Sequence, residues 1–67
     1  MRLSYDRDTD SLYIHLNDSP GTDATEVAEG VVLDFDASGW LVGIDVQHAS
    51  RVADLSRLLV DHVPQAA

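Results

Sequence analysis

Val31-Val32-Leu33-Asp34-Phe35-Asp36-Ala37-Ser38-Gly39-Trp40-Leu41-Val42-Gly43-Ile44-Asp45-Val46 is the stretch that decides the fold. Val31, Leu33 and Phe35 alternate with Val32 and Asp34; Trp40, Val42, Ile44 and Val46 alternate with Leu41, Gly43, Asp45 and Gln47. This period of two marks strands with one apolar and one largely polar face. Asp36-Ala37-Ser38-Gly39 between them has the composition of a type I turn closed by a left-handed glycine, so the two runs read as a hairpin. Pairing Phe35 with Trp40 sets Leu33 opposite Val42 and Val31 opposite Ile44. A slip of one residue would put Trp40 beside Asp34 on the polar side.

The same alternation extends upstream. Leu3 and Tyr5 share one face of the first run, and Leu12, Ile14 and Leu16 share one face of the second. Asp6-Arg7-Asp8-Thr9-Asp10 between them is too short for a parallel crossover. Asn17-Asp18-Ser19-Pro20-Gly21 is loop chemistry. The third strand is expected to begin near Thr25, with Glu29-Gly30 as a bulge or bend. Strands over 2–6, 11–16, 25–35 and 40–47 follow, joined as an antiparallel meander. Past Gln47 the period lengthens, since Val52, Leu55, Leu59 and Val63 fall at i, i+3, i+7 and i+11. This spacing predicts a helix over 51–63 with Ser50 as its N-cap, or a later start at Asp54. Pro64 ends it, and residues 65–67 are expected to fray. The expected fold is α+β (ββββα): one domain over 1–67, a four-stranded antiparallel meander sheet with a C-terminal helix on its apolar face.

Composition narrows the function. The chain has 67 residues, 45% of them hydrophobic, and no cysteine, which excludes a disulfide framework, a thiolate zinc site and a cysteine nucleophile. Twelve acids oppose four bases, Arg2, Arg7, Arg51 and Arg57, for a net charge of −8 with no lysine. Nucleic-acid binding needs clustered Lys and Arg to displace phosphate counterions, so no such partner is expected. The acidic field either serves solubility or favours a basic protein partner, as in an antitoxin-like neutraliser of a basic toxin. No apolar run reaches a membrane span and no basic-then-apolar leader opens the chain, so it reads as a complete cytosolic protein.

The expected sheet is too wide for its helix. Four strands spaced about 4.8 Å make a sheet roughly 19 Å across, and a helix covers only about 10–12 Å of that. The candidate core or interface comprises Tyr5, Leu12, Ile14, Leu33, Phe35, Trp40, Val42 and Ile44, with Leu55 and Leu59 from the helix. Domains this small commonly need a staple, and without cysteine or an evident metal site the expected staple is a second copy of the chain. A homodimer is therefore expected. A helix lying diagonally across the sheet is the alternative.

Chemistry-bearing patterns are sparse. Asp6-Arg7-Asp8-Thr9-Asp10 matches the opening of a calcium loop but has Ser11 where glycine is needed and Asn17 where a bidentate Glu is needed. A polar turn with Asp side chains on local N–H groups accounts for it. The polar sheet face gathers Tyr13, His15, Asp34 and Asp45, with Ser4 and Gln47 near its edges. His15, Asp34 and Asp45 are the metal- or small-ligand candidates, although one histidine without a second at ligand spacing is a poor metal set. Ser50 beside His48 lacks the Gly-x-Ser-x-Gly turn that exposes a nucleophile, and the isolated glycines form no phosphate loop. No enzyme activity and no cofactor are expected.

Three blocks together resemble a known family. Tyr5-Asp6 with Asp10, Leu12, Tyr13 and Ile14 is similar to its opening pattern. Val32 to Gly39 followed by Leu41 to Val46 resembles its central block, and His48-Ala49-Ser50 its closing one. The family is the domain of unknown function 2283 family of small prokaryotic proteins, and the resemblance covers residues 1–52. Asp45 stands where the family more often has Glu, and Phe35 where it often has Tyr. The resemblance implies a compact sheet-plus-helix domain of prokaryotic origin and brings no catalytic residues.

Overall fold

The computed structural model describes residues 1–64; residues 65–67, expected to fray, lie outside the described residues. The architecture is a small α+β fold built on one antiparallel sheet. Its strands are β1 (Arg2–Asp6), β2 (Ser11–His15), β3 (Asp23–Ala28), β4 (Val31–Phe35) and β5 (Leu41–Val46), followed by α1 (Ala49–Val52).

The sheet has five strands, where four were expected. The run expected as one strand over 25–35 folds back on itself at Glu29-Gly30, because Gly30 takes φ 76°, a left-handed value open to glycine. Asp23–Ala28 then pairs with Val31–Phe35, with a bulge between Glu26 and Ala28. The order is β1-β2-β5-β4-β3, so the sheet is not a simple meander. β2 pairs with β5, and the 16–22 connection passes both β5 and β4 to reach the far edge. β5 holds the centre, which suits the strand richest in small and apolar residues.

The β4–β5 hairpin forms, with a different register. Leu33 faces Ile44 and Val31 faces Val46, and a bulge leaves Phe35 opposite Leu41. For Leu33 and Val31 the expected partners were two residues away, a shift that keeps those side chains on the same face, whereas across the bulge Phe35 is one residue from the expected Trp40. Trp40 is displaced from the strand altogether. Its N–H donates to Asp36 Oδ1 at 2.9 Å, and its carbonyl accepts from the Asp36 N–H at 2.8 Å. It thus closes the turn, 72% exposed, rather than entering the core. Gly39 takes φ 86°, as the turn requires.

The expected helix over 51–63 is reduced to the four residues of α1. Ala53 is extended at φ −134°, ψ 149°. Beyond it Asp54 Oδ1 accepts both the Ser56 N–H at 3.0 Å and the Ser56 hydroxyl at 2.5 Å. A side chain thereby takes an N–H that would otherwise close a helical turn. Ser50 is not the cap: His48, left-handed at φ 52°, holds that position without a side-chain bond. Leu55 and Leu59 are exposed outside any helix.

One face of the sheet carries two apolar rows, Leu3–Ile14–Ile44–Leu33 and Tyr5–Leu12–Val46–Val31. The other carries Ser4, Tyr13, His15, Asp45, Val32, Asp34 and Glu26. The apolar rows are incompletely covered: Leu3 and Tyr5 are exposed, and the other six residues are partly buried. Among the described hydrophobic residues only Val42 and Ala49 are buried.

Candidate functional site

Two hydrogen-bonded clusters use most of the residues that the motifs single out. The first sits at the end of the β1–β2 hairpin. Asp10 is left-handed at φ 56°, a conformation Asp tolerates better than most residues, and this aims its carboxylate across the chain at the start of α1. Oδ1 accepts the Tyr5 hydroxyl at 2.7 Å, and Oδ2 accepts the Ser50 hydroxyl at 2.6 Å. The Ser50 N–H donates to the same carboxylate at 3.1 and 3.3 Å. The Asp10 carbonyl accepts the Ala49 N–H at 2.9 Å. Ala49, 0% exposed, is thereby pinned beneath the turn. The Ser50 and Tyr5 hydroxyls hold the Asp10 carboxyl below its ordinary pKa, with a smaller contribution from His48, and Asp10 in turn raises the Tyr5 phenol.

Asp10 therefore differs from its neighbours in the acidic turn. Asp6 accepts the Asp8 N–H at 2.9 Å, an ordinary local turn contact. Asp10 instead bonds to a residue forty positions away. Sequence reasoning missed this role. It also assigned the Ser50 hydroxyl to a helix cap when its partner is a carboxylate.

The second cluster lies on the polar face. Tyr13 on β2 donates its hydroxyl to Asp34 Oδ2 on β4 at 2.7 Å. β5 runs between those strands, and the ring crosses it at Gly43. A Cβ built on Gly43 would overlap the Tyr13 Oη and Cζ and lie 2.7 Å from Cε1, so position 43 must lack a side chain. Glycine inside a strand often marks such a close approach, which is the signal that could have identified the site. Asp34 pushes the Tyr13 phenol up to about 12, chiefly by accepting its hydrogen bond, with desolvation and the Asp34 and Asp45 charges adding to the effect. The His15 ring stands edge-on to Tyr13 at 4.3 Å between centroids.

His15, Asp34 and Asp45 share this face but not a ligand geometry. Tyr13 is hydrogen-bonded to Asp34, and among the described residues no three His, Asp or Glu side chains are grouped to hold a metal ion. Beside Tyr13 and Asp34 a shallow cleft of about 350 Å³ continues over Gly21, Thr22, Asp23 and Ala24. A second cleft, of about 250 Å³, lies on the apolar face between Leu3 and Leu12 on one side and Ala53, Leu55 and Leu58 on the other. No helix among the described residues is long and apolar enough to cross a membrane.

No curated protein and no solved structure matches the chain. Both clusters, Tyr5–Asp10–Ser50 and Tyr13–Gly43–Asp34, lie within the segment that a family model does match, residues 2–50, and the chain belongs to that family, described as protein of unknown function (DUF2283).

Proposed function

We propose that this chain is a small, non-enzymatic protein-interaction module that works as a homodimer. The uncovered apolar face carries this reading. The accessible surface is 5509 Å², whereas a compact monomer of 7.3 kDa exposes about 4,200 Å². The excess, about 1,300 Å² (5509 less about 4,200), exceeds the roughly 800 Å² that each partner contributes to a standard interface. The radius of gyration is 13.0 Å, against about 11 Å for a compact chain of this length. Extents of 33 × 32 × 19 Å describe a slab resembling one layer of a two-layer structure. The non-enzymatic reading is supported by the use of the reactive groups: Asp10, Ser50, Tyr13 and Asp34 are engaged with one another, and these bonds hold hairpins and α1 in place. Multi-angle light scattering across low to several hundred micromolar chain tests the proposal. Twice the chain mass is expected, and a monomer throughout would overturn it.

A basic partner protein is the second reading, supported by the polar face. Asp34, Asp45 and Glu26 lie there, in a chain of net charge −8. A dimer joined by its apolar faces would leave these acids outward. Binding of that kind weakens steeply with added salt, and affinity for a basic protein that is unchanged by salt would exclude it.

A further inference from the structure

The segment after α1 has apolar side chains that its own sheet takes up only in part. Leu58, Leu59, Val60 and Val63 are 55% to 68% exposed, and residues 53–64 belong to no helix or strand. Ala53, Leu55 and Leu58, with Asp54 and Arg57, border the cleft beside Leu3 and Leu12 on β1 and β2. Leu33 and Ile44, in the middle of the apolar face on β4 and β5, are partly buried and still keep exposed surface. A surplus apolar segment and an under-covered apolar face thus occur in one chain. Large contiguous exposed apolar patches on a protein commonly mark interaction surfaces.

We infer that residues 58–63 of one protomer lie across the apolar sheet face of a second copy, reciprocally, so that each chain supplies the cover its partner lacks. This deepens the homodimer reading and rests on it. Charge selects the face. Two chains of net charge −8 repel one another, and the polar side places Asp34, Asp45 and Glu26 outward. The rows Leu3–Ile14–Ile44–Leu33 and Tyr5–Leu12–Val46–Val31 contain no charge. The total exposed surface, about 1,300 Å² above that of a compact chain of this mass, is of the order a two-fold interface uses. A two-fold arrangement is self-complementary, with segment meeting face twice. The joint that starts the segment is fixed, because Asp10 holds Ala49 and Ser50 against the β1–β2 turn.

The test combines a variant with a direct contact measurement on the full chain. Leu58→Asp/Leu59→Asp alters two side chains that are mostly exposed within one protomer, so the sheet's circular dichroism should persist. The dimer dissociation constant is expected to rise at least about tenfold, measured by sedimentation. In the wild-type chain, filtered NOEs between labelled and unlabelled copies should connect the methyls of Leu58, Leu59 or Val63 to those of Ile14, Leu33 or Ile44. This second measurement decides the matter if the variant fails to fold. A monomeric wild-type chain would overturn the dimer and this inference together. A dimer without those contacts, or one indifferent to the variant, would overturn the inference alone.

Discussion

The Tyr13 hydroxyl reaches Asp34 across an intervening strand, at 2.7 Å, because position 43 has no side chain beneath the ring. Three strands are tied by one hydrogen bond and one missing methyl group. Gly43→Ala should force the ring out of its place and destabilise the chain by about 1–3 kcal/mol, the usual cost of overpacking. Tyr13→Ala combined with Gly43→Ala should cost less than the sum of the single changes, because the residues share one contact. Urea denaturation of the four proteins checks this, and strict additivity would contradict the geometry.

The same bond makes stability fall in alkali. The Tyr13 phenol is raised from an ordinary 10.0 to about 12 in the fold. Its contribution is fully present below pH 10.0, where folded and unfolded chains are both protonated, and is lost as pH rises through about 12. In a Tyr5→Phe background, phenolate absorbance should follow the high value, and Tyr13→Phe should flatten the melting temperature across that window. An ordinary tyrosine titration in the folded protein would count against the bond.

Asp10 acts at the acid end. Its carboxyl is held below the ordinary 3.8 by Ser50 and then Tyr5, so its contribution is present above that value and lost as pH falls through the lower folded value. Asp10→Asn retains a residue tolerant of the left-handed backbone and removes the charge. The variant should melt lower at neutral pH than the parent, and the difference should shrink as the parent is acidified. Equal melting at neutral pH would mean that the clip contributes nothing.

Trp40 gives the opposite kind of prediction. At 72% exposure, with only its backbone closing the turn, its side chain contributes little to a single protomer's fold. Trp40→Ala should change unfolding free energy by no more than about 0.5 kcal/mol in the dissociated chain. Its fluorescence there should resemble that of indole in water. A blue-shifted spectrum in the monomer would show that the ring is covered.

The one-in, one-out pattern of the strands was legible because alternation fixes faces. Leu3, Ile14, Ile44 and Leu33 do share one side, and Tyr13, Asp45 and Asp34 share the other. Register was not legible to the same degree. A shift of two residues leaves every side chain on its face, so Leu33 could be matched with Val42 or Ile44 equally well by pattern. The additional strand was hidden at Gly30, where a bend and a full reversal require the same permissive φ. The helix failed because spacing in Val52, Leu55, Leu59 and Val63 is only permissive; Asp54 decides locally by bonding Ser56. The Asp10–Ser50 clip was beyond reach of local reading, since its partners meet only once β2 and β5 are side by side.

That strand order also separates the two partners of β2 widely along the chain. The β1–β2 hairpin is complete by His15, yet the neighbour it pairs with is Leu41–Val46. Until Leu41–Val46 pairs with it, one edge of β2 has its backbone groups unpaired. β3, β4 and β5 are consecutive and pair with sequence neighbours, whereas β2 and β5 are joined across the 16–40 stretch. Asp10 meets Ser50 only where β2 and β5 lie side by side, so the clip depends on that pairing.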